Sequence, residues 1–583
     1  MHMQRTVGAV LTGAALLACA ACSQDLNITN PNTPDVARAL ASPADVQNLA
    51  VSSVNAWYIA ATSAGGDPNP WGMLNVTGDL MTQNYGNYGA RFNNLEPRIP
   101  YNNNQASGDA EVAQAPWQSE YGALGQANDV LRAVASGVAL PGGTGKYSVL
   151  AQLAQAGALM ELALVYDKAF PVDEATAVAA FVPYDSMAGF TKGKIDKLIA
   201  ATAGQSYTYT AGEFPASTTA PPSRFSNGGT AGGGLTASVI NRLANTWGAQ
   251  LLAYTPRTAA QAATANWAQV LAYAQKGIGT GTAGSPIDFS VVGDGGNSWY
   301  SLYTAYNDLP SWMMVDLKLI SQMAPNVPSQ YTGLPASPAS AYDAVWAPQA
   351  PYDARLGTDL TNVNAYTTGV DDSTDYVYAR QVQGSAARGI YMQSPYYHVR
   401  YISYSWQAAV SFTGPQPFIL AAENDLLQAE ALVRTGGNLA LAAQLVNNTR
   451  VNRGHLTPLT ASTSTASFLQ AITYELEVEC NATDGYGFFA LRAMDQLQPG
   501  TVRHLPVPAL ELQTDGLPVY TYGGVGLPDM NVVSAGGAGQ QLAFNVNKYE
   551  AGPWKTLDMP NGMTMQLPTP HAPKRPTAPS AKF

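Results

Sequence analysis

Apolar residues recur every three or four positions along much of this chain, a spacing that places them on one face of an α-helix. In the run 235–254, the large apolar side chains on that face are Leu235, Val239, Leu243, Trp247, Leu251 and Tyr254. The same pattern predicts helices over residues 35–60, 71–80, 117–134, 147–166, 187–201, 235–254, 267–277, 417–435, 439–452 and 468–480.

Several of these helices come in pairs that are separated by a short break. Thr255-Pro256 ends one helix before the antiparallel return at 267–277, and Gly436-Gly437 separates another pair. Such pairs are typical of tetratricopeptide-like units. We therefore predict an all-α fold of tetratricopeptide-like helix pairs over 35–566, with long irregular loop insertions.

The segments between the helices are of two kinds. Residues 62–70 and 84–115 are rich in Gly, Asn and Pro, and the stretch 281–415 is weakly periodic. Long loops within a compact domain usually carry function. Residues 23–34 form a polar tether with a proline break, and the Pro-rich tail 567–583 is predicted to be disordered.

Composition narrows the kind of ligand. The net charge is −11, charged residues are 12% of the chain, and no basic cluster is visible. Nucleic-acid binding depends on clustered Lys and Arg, so we exclude it. The 31 Tyr and 10 Trp offer apolar faces with polar tips, which suit neutral ligands such as sugars or peptides.

The three cysteines exclude a disulfide scaffold in the mature protein. Cys480 is predicted to be a small buried hydrophobe.

Residues 1–22 have the composition of a secretory signal peptide. A single Arg5 precedes a short apolar run that ends in small residues and cysteine, too short to span a bilayer. This arrangement resembles the lipobox of bacterial lipoproteins, whose cysteine is lipidated. Cys19 fits the lipobox better and Cys22 is the alternative register, while a plain cleaved signal peptide is a third interpretation. No later segment is predicted to cross a membrane.

Several blocks together resemble the SusD/RagB family, and they cover nearly the whole mature chain. They lie in this order and spacing: 25–31, 117–128, 150–171, 235–278, 417–431, 446–454, 475–479 and 505–511. The C-terminal blocks are the most specific of them. One departure is that Gly487 and Ala490 stand where the family has an arginine and an aspartate. If those two charges normally pair, their joint loss leaves no buried charge alone.

The resemblance implies a helical scaffold whose inserts, near 79–115 and 281–415, form a ligand face. It also implies a lipid-anchored, cell-surface protein of the outer membrane that acts as a lid on a SusC-like TonB-dependent transporter barrel. Members bind oligosaccharides, or peptides in some branches, and do no covalent chemistry. We accordingly expect no enzyme activity, no cofactor and no metal.

The resemblance also indicates which residues contact ligand. In the first insert these are Asn84, Tyr85, Tyr88 and Arg91. In the second they are Trp299, Tyr300 and Tyr303. An alternative is that Trp299, Tyr303 and Tyr306 form a helical stripe that packs in the core.

Catalytic motifs are weak in this sequence. There is no H-E-x-x-H zinc motif. Glu475 and Glu479 lie on one helix face and are expected to form structural ion pairs with Arg450, Arg453 or Arg492. The acidic run 371–375 lacks EF-hand spacing, so a solvated turn is favoured over a Ca²⁺ site.

Four hypotheses follow. The protein is a lipoprotein that binds oligosaccharides, or one that binds oligopeptides in the manner of RagB. It is otherwise a lipid-anchored glycoside hydrolase, or a surface protein with no transporter.

Overall fold

The computed structural model describes most of the chain between residues 36 and 567. The described residues are 36–63, 70–83, 95–107, 110–176, 179–210, 212–214, 225–227, 234–279, 288–294, 299–307, 313–333, 339–350, 352–357, 374–378, 382, 393–401, 413–527, 530–533, 555–558 and 564–567. The predicted signal peptide 1–22, the tether 23–34 and all but the first residue of the predicted tail lie outside them.

Helices dominate this structure. They are α1 (Val36–Ala41), α2 (Pro43–Ser63), α3 (Pro70–Thr77), α4 (Glu111–Ala135), α5 (Thr144–Val165), α6 (Tyr184–Thr202), α7 (Ala237–Tyr254), α8 (Ala259–Ala263), α9 (Trp267–Ala274), α10 (Leu302–Asn307), α11 (Leu317–Met323), α12 (Ala339–Trp346), α13 (Ala421–Arg434), α14 (Leu439–Arg450), α15 (Thr465–Val478), α16 (Tyr486–Ala493) and α17 (Ala509–Thr514). About 53% of the structure is helical. The predicted helical fold class is confirmed.

The long helices pack in sequence order to form an array. α4 packs on α5, α5 on α6 and α6 on α7, and α9 then joins α7 to α13. The array ends with α14 and α15, both against α13, while α2 covers α4 and α5. The stretch between α9 and α13 is therefore an insertion into a continuous array, because the two helices that flank it are in contact.

Helix α5 is the centre of the core and is buried on nearly all sides. At Gly157 the indole of Trp57 lies so close that an added Cβ would be 2.2 Å from its Nε1 atom. α5 is the one helix in the described part of the chain that is long and apolar enough to cross a membrane, and 94% of its most apolar window is buried inside the protein. Core helices have this composition too, so it does not indicate a span.

The strands are short and form sheets of two or three strands among the described residues. They are β1 (Met81–Gln83), β2 (Lys168–Ala169), β3 (Val182–Pro183), β4 (Thr208–Tyr209), β5 (Phe225–Asn227), β6 (Leu235–Thr236), β7 (Phe289–Asp294), β8 (Met313–Val315), β9 (Leu356–Gly357), β10 (Tyr376–Tyr378), β11 (Tyr396–His398), β12 (Thr413–Ile419), β13 (Val519–Tyr522), β14 (Met530–Val533), β15 (Lys555–Asp558) and β16 (Thr564–Leu567). The antiparallel pairs are β1–β8, β2–β3, β4–β6, β5–β7, β7–β12, β10–β11, β13–β14 and β15–β16, and β9–β10 is parallel.

Two predicted boundaries were wrong. The helix expected over 417–435 begins only at Ala421, because 413–419 is the strand β12, whose Pro415 and Pro417 have no N–H to donate within a helix. The loop expected up to residue 115 already contains the first turn of α4, with Pro116 inside that helix. The insertion 281–415 was also less irregular than expected, since it contains α10 to α12 and β7 to β11.

A buried ion network attaches this insertion to the last helices of the array. Arg355 has no exposed side-chain surface, and its guanidinium lies 2.6 Å from Asp353, 2.8 Å from Glu475 and 3.0 Å from Glu479. Glu479 also pairs with Arg453 at 2.9 Å and with Arg400, from the insertion, at 3.0 Å. These arginines outweigh the effect of burial and lower the pKa of Glu479 to about 2.

The expectation of structural ion pairs at Glu475 and Glu479 was therefore right in kind, but two of the three suggested partners were wrong. Arg453 is a partner. Arg450 instead donates to the Thr457 carbonyl. Arg492 is fully buried and donates to the carbonyls of Leu164 and Tyr254, near the C-terminal ends of α5 and α7. Burial without an acidic partner holds the pKa of Arg492 well below its usual range.

The packing around Gly487 leaves little room for a larger side chain unless Leu80 moves. A Cβ at this position would lie 2.6 Å from the Cδ1 atom of Leu80. Phe488, Phe489 and Ala490, which follow Gly487 in α16, are all buried. The two departures from the family pattern therefore lie in the same short, buried helix.

Candidate ligand-binding groove

Helix α2 has one apolar face and one polar face. Val46, Ala50, Val54 and Trp57 are spaced by three or four residues and are buried in the core. Polar side chains on the rest of the helix, at Gln47, Asn48, Ser52 and Asn55, are exposed or half-buried.

The polar face of α2 forms one wall of a groove of about 300 Å³. The groove is lined by Gln47, Asn48, Val51, Ser52, Asn55, Gly212, Glu213, Phe214 and Trp299. These residues come from three parts of the chain: α2, the turn at 212–214 and the insertion after β7. The volume lies at the lower end of the range for small-molecule sites.

Trp299 is held in place by both its backbone and its ring. Its N–H donates to Oδ1 of Asp294 at 3.0 Å, and its carbonyl accepts from the Asp294 N–H at 2.9 Å. The ring packs against Tyr58, Phe214 and Phe225, with centroid separations of 5.5, 6.1 and 5.6 Å. Only 7% of Trp299 is exposed, so it presents a limited, fixed apolar surface to the groove.

Glu213 is the one carboxylate among the residues that line this groove, and it is bound on several sides. Lys146 lies 2.6 Å from Oε1, which also accepts from the Tyr147 hydroxyl at 2.6 Å, and the Thr210 N–H donates to Oε2 at 2.8 Å. Burial opposes ionisation of Glu213, but these contacts outweigh it and lower its pKa.

The same hydrogen-bond chain reaches the polar face of α2. The Tyr147 hydroxyl accepts from Nε2 of Gln47 at 2.8 Å. Burial and the neighbouring Glu213 raise the pKa of Tyr147 to about 12, so its hydroxyl stays protonated. The groove thus presents amides, a hydroxyl, one neutralised carboxylate and an indole, which together suit a neutral polar ligand.

The structure separates the predicted residues of the second insert. Trp299 lines the groove, whereas Tyr300 is half-buried beside it and its carbonyl accepts from the Thr62 hydroxyl at 3.4 Å. Tyr303 is fully buried, with its hydroxyl donating to the Asp484 carbonyl at 2.5 Å and its ring 5.7 Å from Trp71. Tyr303 therefore occupies a core position, as the alternative interpretation held, and we do not include it in the groove.

The other predicted site residues lie outside the described part of the chain. These are Asn84, Tyr85, Tyr88 and Arg91 of the first insert and the two candidate lipidation sites, Cys19 and Cys22. Asp371 and Asp372 of the acidic run also lie outside it, while Asp375 pairs with Arg453 at 2.6 Å. Within the described residues, no group of three or more His, Cys, Asp or Glu side chains is placed to hold a metal ion.

Most of the groove was not foreseen from the sequence. The polar row on α2 could have been found, because Asn48, Ser52 and Asn55 follow helical spacing opposite the apolar stripe. The contribution of Glu213 and Phe214 has no such signal, since a short turn more than 150 positions away meets α2 only in the folded chain.

The groove and the fold define a class of protein: a helical array whose long insertion meets its first long helix at a polar groove. Solved structures share the overall fold. A SusD superfamily protein from Bacteroides vulgatus matches with a TM-score of 0.51 and 12% identity, over 81% of this chain and 97% of the other. A SusD superfamily protein from Parabacteroides distasonis matches with a TM-score of 0.53 and 11% identity, over 80% and 97%. A SusD homolog from the same species also gives 0.53, with 12% identity over 81% and 93%.

The protein therefore has the SusD fold, and the family resemblance seen in the sequence is confirmed at the level of the fold. No family model matches the chain. No curated protein matches it either.

Proposed function

We propose that this protein is a cell-surface nutrient-binding lipoprotein that captures oligosaccharides and delivers them to a SusC-like TonB-dependent transporter of the outer membrane. The observation that carries the proposal is the groove of amide side chains beside Trp299. The SusD fold supports it, because the family that the sequence resembles is expected to bind oligosaccharides on this scaffold.

Oligosaccharides suit the chemistry of this groove. The side-chain amide of Asn48 can donate to and accept from hydroxyl groups, and the amide oxygen of Gln47 can accept from them. The indole of Trp299 offers an apolar surface for the C–H face of a sugar ring. Because Lys146 neutralises Glu213, the wall favours a ligand without net charge. Oligopeptides present similar donors and acceptors, so they are the second ligand class to test.

Binding without hydrolysis is the activity that we propose. Glycoside hydrolysis uses two carboxyl groups about 5–9 Å apart, one of them with a raised pKa. Among the described residues that line the groove Glu213 is the one carboxylate, and its pKa is lowered. Such a group is poorly suited to donate a proton to a leaving group.

The anchor is a separate part of the proposal. We place the lipid on Cys19, with Cys22 as the alternative, because Leu16-Leu17-Ala18 before Cys19 fits the lipobox better, whereas the run before Cys22 has a cysteine at the position that leucine normally holds. Lipidation of the wild-type chain is measured by incorporation of labelled fatty acid. It should be lost in Cys19→Ser and retained in Cys22→Ser. Retained label in both single variants, or no label in the wild type, contradicts the assignment.

Ligand binding is tested by calorimetry with panels of neutral oligosaccharides and of short peptides. We expect an oligosaccharide to bind the wild type and Asn48→Ala to weaken binding about twofold to tenfold, since one hydrogen bond contributes about 0.5–1.5 kcal/mol. Gln118→Ala, which removes an exposed amide of α4 outside the groove, is the matched control and should bind as the wild type does. Equal affinity of Asn48→Ala and wild type argues against this groove, and binding of peptides alone favours the peptide ligand.

The transporter partner is tested by capture of the natively expressed protein in mild detergent. We expect an outer-membrane barrel to co-purify in stoichiometric amounts. Recovery of the lipidated protein alone, under conditions that preserve a known barrel complex, refutes the proposed partner.

A further inference from the structure

A second and larger groove lies on the outer face of α14, away from the proposed sugar site. Its volume is about 500 Å³, and its walls are α14 and the segment 458–461 that folds back beside it. None of the residues that line it carries a charge, and none has an aromatic ring. Ala440 and Ala443 form part of its floor, which keeps the groove wide at the helix surface.

In one wall of this groove, an amide side chain of α14 pairs with the backbone of the segment 458–461. The side chain of Asn447 donates from Nδ2 to the Leu459 carbonyl at 2.9 Å and accepts at Oδ1 from the Leu459 N–H, also at 2.9 Å. A single planar amide thus satisfies both backbone groups of one residue. In an extended chain these two groups point to the same side, as they do where strands pair in a sheet.

Three further amide side chains line the same groove, and unlike Asn447 they pair with no backbone group among the described residues. Gln444, Asn448 and Asn452 are four residues apart and are exposed or half-buried. Their side chains form no hydrogen bond with any other residue in the ranges that the structure describes. Gln444 and Asn448 are four residues apart on α14, a rise of about 6 Å, and two residues of an extended strand span about 6.6 Å, whereas Asn452 lies in the turn that follows the helix. Gln444 and Asn448 can therefore meet residues two apart in an extended peptide, and Asn452 follows them at the end of the helix.

We propose that this groove binds an extended segment of a separate polypeptide, with uncharged and small side chains, through backbone pairing to Gln444, Asn448 and Asn452. The lack of an aromatic ring in the lining argues for a polypeptide over a sugar. The lack of charge argues for an uncharged segment, since a buried unpaired charge is costly. This site is independent of the groove at Trp299 and does not rest on the function proposed for it.

The test is binding of the full-length protein to an array of blocked pentapeptides composed of Ala, Gly, Ser, Thr and Val. We expect a subset to bind, and Asn448→Ala to weaken their binding at least fivefold, because two hydrogen bonds of about 0.5 kcal/mol or more are lost. N-methylation of alternate backbone nitrogens in the same peptides should abolish binding. Gln118→Ala is the control and should leave the affinity unchanged.

Each other outcome overturns the proposal. No binding of any array peptide by the wild type excludes the site, as does equal binding by Asn448→Ala or equal binding of the N-methylated peptides. Calorimetry with maltoheptaose provides a further arm: if the sugar binds and the Asn448→Ala substitution weakens it, the groove is a second sugar site and not a polypeptide site.

Discussion

Replacing Arg355 with methionine removes the cation at the centre of the buried ion network while keeping a long apolar side chain in its place. Arg355 touches Asp353, Glu475 and Glu479 at 2.6 to 3.0 Å, and none of the four has more than 2% of its side chain exposed. Glu479 keeps Arg400 and Arg453 in the variant, but Asp353 and Glu475 lose their guanidinium. Two buried carboxylates are thereby left without a cation.

Breaking a buried ion pair from one side costs about 3–5 kcal/mol. We expect Arg355→Met to lose that amount of unfolding free energy at pH 7.5, a large share of the 5–15 kcal/mol typical of folded proteins. The assay is urea unfolding followed by tryptophan fluorescence. Arg503→Met is the matched control, because Arg503 pairs with Asp495 at 3.4 Å on the surface, with both side chains more than 40% exposed. It should lose less than about 1 kcal/mol.

The loss should also depend on pH. Burial raises the pKa of Glu475 even in the presence of Arg355, and without that cation its pKa rises further. A carboxyl whose folded pKa is raised destabilises the protein as pH rises above its unfolded value, so the difference between variant and wild type should shrink from pH 7.5 to pH 4.5. A loss at pH 7.5 no larger than that of Arg503→Met, or a loss that is the same at both pH values, would refute the reasoning.

Three more predictions concern packing, ionisation and reactivity. Gly157→Ala should lose about 1–3 kcal/mol of unfolding free energy in urea, because its Cβ would meet Trp57 at 2.2 Å. Gly122→Ala on α4 is the control and should be neutral or gain up to about 1 kcal/mol, because no atom lies within 4 Å of its Cβ. Equal effects of the two substitutions would contradict this account of the packing. Burial raises the pKa of Glu161 to about 7, so the unfolding free energy of the wild type should fall as pH rises from about 5 through 7. Glu161→Gln should reduce this fall by up to about 3 kcal/mol. Parallel pH profiles of the two proteins would show that Glu161 is not responsible. Burial raises the pKa of the Cys480 thiol well above its usual value. In the Cys19→Ser/Cys22→Ser variant, which has no other cysteine, this thiol should react with Ellman's reagent only after the protein unfolds. Prompt reaction of the folded protein would disprove the burial of Cys480.

The local pattern of the chain was sufficient to predict the scaffold. Helical spacing of apolar residues located the cores of α4, α7 and α14, because each packs an apolar face against its neighbours in the array, and the long apolar run of α5 indicated a helix that is buried on nearly all sides. Boundaries failed where proline was involved. Residues 413–419 form the strand β12 because they pair with β7, and at the start of α4 the helix continues through Pro116.

The ion network shows where local reasoning stops. Spacing alone placed Glu475 and Glu479 on one face of α15 and indicated that they form ion pairs. Their central partner, Arg355, is 120 positions from Glu475 and lies in a stretch with weak periodicity. No local pattern identifies such a partner, because the insertion meets α15 only after the array has assembled.

The candidate site divides in the same way. The sequence by itself determined that the chain forms paired helices with a long insertion, and that aromatic and amide side chains suit a neutral ligand. Only the tertiary structure decided that Trp299 borders a groove while Tyr303 lies in the core, although both belong to the same predicted stripe. The reason is that α10 begins only at Leu302, so Trp299 precedes the helix that contains Tyr303, and its exposure depends on the other segments that pack beside it, here α2 and the turn at 212–214.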